Sequence, residues 1–328
     1  MRQKIDLLNG PVFPSLTRLA LPIMATSLVQ MAYNLTDMIW IGRISSDAVA
    51  SVGAAGMYMW FANGITVLAK MGGQVKVGHS LGAGERTEAC GYARNAIQLS
   101  LILGLAYGII CLLFQKPLIG FFRLNSPAVI QNAEIYLAIT CGLVVFSFLN
   151  QVFTGILTAM GNSRTSFLAT AAGLIINIVL DPVLIFGIGP FPKLDVAGAA
   201  IATVFAQAVV TVVFLLSVRK EPDIFMNLHF FTKPQLSVLK ELIRIGLPSS
   251  VQSMIFTGIS MVIARIVAGF GDSAVAVQKV GSQIESISWM TSDGFAAAVN
   301  SFIAQNFGAG NAARAKKGYR CSMVVVLL

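Results

Sequence analysis

The sequence predicts an all-α polytopic membrane protein, built as two lobes in parallel repeat with a six-helix first lobe and an incomplete second. Three observations carry this. The chain of 328 residues is 56% hydrophobic and only 11% charged, with mean hydropathy +0.77. A soluble domain carries about 25% charged residues. Its apolar runs are about 20 residues or longer and lack an alternating period, so they read as membrane-crossing helices rather than barrel strands. Finally, a shift of 226 residues lays the end of the chain on its beginning.

Span one covers 15–41, opened by Pro14 and carrying Pro22; its length and its Asp37 read as a span rather than a leader peptide. Span two covers 48–77 and leads to a break at Gly82-Ala83-Gly84. Span three covers 93–114, and span four runs as one helix from 128 to 159, closed by Gly161-Asn162. Span five covers 165–188, closed by a Gly/Pro cluster from Gly187 to Pro192, and span six covers 196–218. The first lobe is thus 1–218. A linker follows at 219–238, with Pro222, Pro234 and several apolar residues that suit a segment lying on the membrane surface. The second lobe, 239–328, holds span seven at 240–268, span eight at 274–305 and the start of span nine near Gly318. Span nine stops in mid-run, so the chain is expected to be truncated within its second lobe.

Loops assigned alternately put sixteen of the 23 Lys and Arg residues on the N-terminal side and five on the other, with Lys70 and Lys279 inside spans. This bias places the N-terminus in the cytoplasm of a bacterial-type plasma membrane. It also accounts for the net charge of +9 as a topology signal, with no nucleic-acid partner.

Under the 226-residue shift, Arg18, Leu21, Pro22 and Ser27 fall on Arg244, Leu247, Pro248 and Ser253. Ala48-Val49-Ala50 falls on Ala274-Val275-Ala276, and Gly82-Ala83-Gly84 on Gly308-Ala309-Gly310. Six spans separate the copies, so both run the same way through the membrane, about an axis along its normal.

Two carboxylates stand inside first-lobe spans. Asp37 follows Tyr33 and Asn34; Asp181 follows Asn177 by one helical turn, on the same face, and precedes the helix-kinking Pro182. A carboxylate in hydrocarbon is costly without a partner or a task. Asp37 lies about 33 Å and Asp181 about 24 Å along their helices from the cytoplasmic side. Both therefore fall in the outer half, where they can share a proton or a monovalent cation. The simpler alternative puts Asp37 at headgroup level beside Arg43. In the second lobe the position of Asp37 holds Ile263, and the intramembrane charges are Lys279, Glu285 and Asp293. Glu285, near the midplane, can meet an organic cation or hydrogen-bond to Ser282 or Gln283. Lys70 is expected to snorkel to the cytoplasmic face. Met57, Trp60, Phe256 and Trp289 suit an adaptable wall for apolar cations, or else contact lipid and neighbouring helices.

Enzyme chemistry finds no footing: there is no HExxH, GxSxG or Walker loop. Four scattered cysteines and two loop histidines suggest neither disulfides nor a metal cluster.

Leu21-Pro22, Asp37, the stretch from Gln74 to Glu85, Asn177 with Asp181-Pro182, and the echo from Leu247-Pro248 to Gly310 together resemble the multidrug and toxic compound extrusion (MATE) family. The resemblance covers the whole chain. It implies a two-lobed, monomeric, lipid-embedded transporter that exports small organic cations by antiport against H⁺ or Na⁺, without a cofactor. It implies a first-lobe cation site of Asp37, Asn177 and Asp181, with Asn34, Tyr136 and Thr203 as further members; no metal beyond Na⁺ is implied. One departure is that Phe256 stands where some sodium-coupled members carry an acid. An alternative within the same wider superfamily is a lipid-linked oligosaccharide flippase, which would need basic residues around its cavity.

Overall fold

A computed structural model describes residues 5–124, 126–218, 232–270 and 272–327. Helix follows helix, and among the described residues there is no strand. Helix α1 (Val12–Gly42) begins after Pro11, whose extended backbone cannot continue a helix backwards. Helix α2 (Ser46–Gly82) is capped by Ser45, whose side chain accepts the Ala48 N–H at 3.0 Å. Then come α3 (Arg86–Leu113), a short α4 (Gln115–Gly120), α5 (Pro127–Gly142) with proline in its first turn, and α6 (Val145–Ala159). Asn162 caps α7 (Ser163–Phe186), which ends at a left-handed Gly187; α8 is Asp195–Val218. Helices α9 (Leu236–Ala268), α10 (Asp272–Gly308) and α11 (Ala312–Leu327) complete the described chain. Of the linker expected at 219–238, residues 219–231 lie outside the described residues, and its end is already helical, α9 starting at Leu236.

Helices α1, α2, α3, α7, α8 and α9 are each long and apolar enough to cross a membrane. Their apolar side chains point outward in quantity, among them Leu113, Leu168 and Ile175. The structure therefore has the outward-facing apolar surface of a multi-pass membrane protein.

Span four departs from expectation. It is a pair, α5 and α6, bent by 44° at Leu143 and Val144. The break lies between two close approaches of α3. Gly108 faces the Gly142 carbonyl, and Gly104 faces Val145, with no side chain between. Backbone this close on one side leaves the helix to turn away from it.

The repeat is visible hydrogen bond by hydrogen bond. After α2, Ala83 N–H donates to His79 O, Gly84 N–H to Leu81 O and Glu85 N–H to Ser80 O, at 3.0, 3.2 and 2.8 Å. After α10, Ala309, Gly310 and Asn311 donate to Gln305, Phe307 and Asn306, at 2.9, 3.0 and 2.9 Å. Gly84 and Gly310 supply the left-handed residue of this helix-ending turn, at φ 81° and 74°. The two helices then meet reciprocally. Gly82 packs on the backbone of Gln305, and Gly308 packs on the backbone of His79. Residue 305 is 79 shifted by 226, so the contact maps onto itself.

A polar and glycine-lined seam extends from these turns. Gln74 donates to Ala297 O at 2.8 Å and Ser301 Oγ at 2.9 Å, and Gln305 donates to Ala159 O at 2.6 Å. Gly72 meets Leu242, Gly246 meets Leu68, and Ser250 donates to Gly64 O at 2.8 Å. Small residues let backbones approach where no hydrophobic force distinguishes helix from lipid. Lys76 pairs with Glu241 at 2.6 Å, and Tyr92 donates to the same carboxylate at 2.7 Å. Together these contacts tie α9 and α10 to α2, α3 and α6 on the face that holds the N-terminus.

Candidate functional site

Helices α1 and α7 are built inside-out. On α7, Ile175, Ile178 and Val179 are exposed, while Gly173, Asn177 and Asp181 occupy one buried face at four-residue spacing. On α1, Leu35 and Ile39 are exposed and Asp37 is buried. The apolar side chains face outward and the acids inward, the arrangement expected when the surroundings are hydrocarbon.

Asp37 and Asp181 lie within electrostatic reach of one another, and both are within reach of the hydroxyls of Tyr33 and Tyr136. Thr203 of α8 is a neighbour of Tyr33. Asn177 Nδ2 donates to Asp181 Oδ1 at 2.9 Å. Asp181 and Asn177 are wholly inaccessible, with Asp37 at 7% and Tyr136 at 6% exposure. The cluster is short of hydrogen bonds. Asp37 Oδ1, Asp181 Oδ2 and Asn177 Oδ1 are buried with no protein partner, while the Tyr33 and Thr203 hydroxyls lie close enough to serve each other. Each unpartnered group costs about 1–3 kcal/mol, and three of them stand together here. Every member presents oxygen, and the two carboxylates are the only acids among them. That donor set fits a proton or one monovalent cation. No cluster of three or more His, Cys, Asp or Glu suited to a metal occurs among the described residues.

Asn34 does not join the site. It is exposed, and Tyr33 takes the place expected for it. Residues at i−3 and i−4 flank Asp37 on opposite sides of its helix stripe, and the packing of α7 favours the i−4 side. Arg43, the neighbour in the headgroup alternative, stacks over the Trp40 ring at 4.7 Å.

A family profile, MatE, matches residues 22–183 and 248–328, well over half of the sequence. This chain belongs to the MatE family. Among curated relatives, a probable multidrug resistance protein NorM of Thermotoga maritima is 29% identical over 90% of this chain. The chain spans 63% of that relative's length. An FAD transporter of Shewanella oneidensis is 27% identical over the whole chain and 72% of its own. Among solved structures, a MOP superfamily transporter from Pyrococcus furiosus superposes with TM-score 0.88 at 26% identity, covering 98% of this chain and 71% of that one. The outward-facing conformation of a multidrug resistance MATE family transporter superposes with TM-score 0.87 at 26% identity, with the same coverage. Three of these four relatives are named as transporters and the other as a probable multidrug resistance protein.

The MatE chain distributes the remaining candidates unevenly. Phe256 and Trp289 meet edge to face at 5.2 Å between α9 and α10. Glu285 and Trp60 are exposed, and Met57 is partly buried against the apolar cluster that holds Tyr58, Tyr107 and Met261. The side chains of Lys279, Ser282 and Gln283 lie outside the described residues. Lys70 corrects its expectation. It does not snorkel to the N-terminal face; its stem lies against Gly155 of α6, and its ammonium is within electrostatic reach of Asp293 on α10. Its position twelve residues before the end of α2, about 18 Å of helix, is too deep for the stem to span.

Proposed function

We propose that this protein exports small organic molecules by secondary active transport, driven by H⁺ or Na⁺ entering through the Asp37–Asp181 site. The observation that carries the reading is the buried carboxylate pair in which Asp37 Oδ1 and Asp181 Oδ2, with Asn177 Oδ1, lack protein partners. A guest cation, or protons on the acids, relieves that deficit. Membership of the MatE family supports the transport half of the reading.

The mechanism follows from the seam. The N-terminal face, rich in Lys and Arg, is cytoplasmic. The contacts from Gly82 and Gly308 up to Gln74 close that face between α2 and α10, while α9 stays on the first lobe further out, with Met261 in its core and Arg265 over the Phe121 ring. Ion occupancy at Asp37 and Asp181 changes how α1 packs on α7. Because α1 also packs on α10, that change reaches the seam. An export cycle needs this link between site and closure, since an ion can shift only an equilibrium whose two states it binds unequally. Relatives of similar identity are named for drugs and for FAD, so the proposal specifies no single compound. A flippase for lipid-linked oligosaccharide is disfavoured, because the intramembrane cations are limited to Lys70 and Lys279.

The test has two arms. Purified protein should bind radiolabelled sodium or take up protons, and Asp37→Asn should lose that binding while still inserting in membranes. Rhodamine 6G efflux from vesicles, under pH and sodium gradients imposed separately, should follow one gradient. Ion binding retained in both Asp37→Asn and Asp181→Asn overturns the site; efflux indifferent to both gradients overturns the coupling.

A further inference from the structure

We propose that Lys70 contacts an anionic group on the transported molecule, which makes the substrate class a planar aromatic compound bearing a carboxylate or phosphate. This rests on the export reading and names the chemistry of the substrate within it.

Position is the first argument. The seam between α2 and α10 climbs in layers from the N-terminal face: Gly82 on Gln305, Gly78 on Ala304, then Gln74 on Ser301 and Ala297. Asn300 donates to Met71 Sδ at 3.7 Å. Lys70 and Asp293 stand one turn beyond Gln74 and Ala297. Past them, α10 exposes Glu285, Ser288, Ser292 and Asp293. The layered contacts between α2 and α10 thus give way at the charged layer to an exposed face of α10, while α9 stays on α2 as far as Gly64.

Cost is the second. No carboxylate among the described residues lies within ion-pair distance of Lys70. Asp293 acts on it only from further off and is itself exposed. An ammonium held at mid-membrane without a close partner is expensive, and such groups mark substrate or ion paths. The surroundings also make room for it: a Cβ on Gly155 would stand 3.1 Å from Lys70 Cγ and 3.2 Å from Lys70 O.

The repeat is the third. Turns and seam contacts recur at a shift of 226, as expected of the scaffold common to both copies. The charged layer does not recur: Lys70 maps onto Ala296, and Asp293 onto Val67. A pair needed only to pack the lobes would be expected to follow the scaffold.

The neighbours supply the rest of the chemistry. Trp289, one turn from Asp293, forms an edge-to-face pair with Phe256. Asn63, two turns from Lys70 on the same helix face, accepts a hydrogen bond from Gln151 at 2.8 Å. An ammonium, two amides and an aromatic pair suit a flat ring system with a negative substituent.

Fluorescein and rhodamine 6G share a xanthene ring and carry opposite charge, so they separate charge recognition from ring fit. Anisotropy titrations with purified wild type, Lys70→Gln, Lys70→Arg and Asp293→Asn provide the test. Lys70→Gln should weaken fluorescein binding about tenfold or more, the scale of one charged hydrogen bond, without weakening rhodamine 6G. Lys70→Arg should keep most of the fluorescein affinity, and Asp293→Asn should keep or increase it. The proposal is overturned if wild type binds fluorescein no more tightly than Lys70→Gln does. It is equally overturned if Lys70→Gln and Asp293→Asn weaken both dyes alike, since that marks a structural pair. Equilibrium binding needs no gradient, so failure of the export reading, seen in the Asp37 variants, is scored separately.

Discussion

Replacing Gly82 by alanine tests the seam at its tightest point. A Cβ there stands 2.6 Å from the carbonyl carbon of Gln305 and 2.8 Å from its Cα. Carbon atoms rest about 3.5–4.0 Å apart, so α2 and α10 must separate by about 1 Å. Backbone, not a flexible side chain, is what the new methyl meets, and overpacking of that kind costs about 1–3 kcal/mol. Gly308→Ala meets His79 in the same way, at 2.8 Å from its carbonyl carbon and 3.0 Å from its Cα. The two sites share one interface, so the double variant should lose less than the sum, the first methyl having already opened the gap. Gly53→Ala is the control. It lies within α2 with nothing within 4 Å, and alanine should stabilise the helix by up to about 1 kcal/mol. Thermal unfolding in detergent, followed by a maleimide dye reacting with the buried Cys111 and Cys141 as they become exposed, ranks the variants. The expected order of midpoints is Gly53→Ala at or above wild type, then Gly308→Ala, then Gly82→Ala. Gly82→Ala melting together with Gly53→Ala would refute the close crossing.

Other perturbations reach different parts of the molecule. Glu241→Gln removes the partner of Lys76, but the carboxylate is half exposed, so the loss should stay below about 1 kcal/mol and shrink in high salt; a melting series in rising NaCl checks this. Asn177→Ala strips Asp181 of the one hydrogen-bond donor it has among the described residues and should destabilise the fold by about 1–3 kcal/mol, read from melting midpoints. Asp6 gives a pH dependence. Its carboxylate accepts the Asn9 and Leu8 N–H groups at 3.0 and 2.9 Å, which holds its pKa below the usual carboxylate range. A depressed pKa means the ionised form stabilises the fold above the ordinary carboxylate pKa, and this is lost as pH falls through the folded value. Acidification from about pH 5 to about pH 3 should therefore lower the melting midpoint of wild type more than that of Asp6→Asn.

Much of this was legible in advance. Run length and composition marked the spans, and the cost of charge in hydrocarbon singled out Asp37 and Asp181. The Gly82-Ala83-Gly84 repeat marked two helix ends that prove alike down to each hydrogen bond. Other features were not. Asn34 and Tyr33 are each about one turn before Asp37, and spacing along the chain does not tell which of the two faces α7. The bend between α5 and α6 has no proline and no polar break of its own; it reflects Gly104 and Gly108 on another helix. Lys70 looked like a snorkelling residue because its neighbours on α2 are apolar, while Gly155 and Asp293 lie far along the chain.

The division has one physical source. A helix in hydrocarbon must satisfy its own backbone, so its existence, ends and tolerated charges are written in local sequence. Which stripe of that helix turns inward depends on the side chains it meets. Those belong to helices distant in sequence, packed by contacts of small individual energy that act only together. Hence composition and spacing alone dictated the membrane spans, the repeat and the acids. Tertiary packing decided the company that Asp37 keeps, where the seam closes, and the depth at which Lys70 is held.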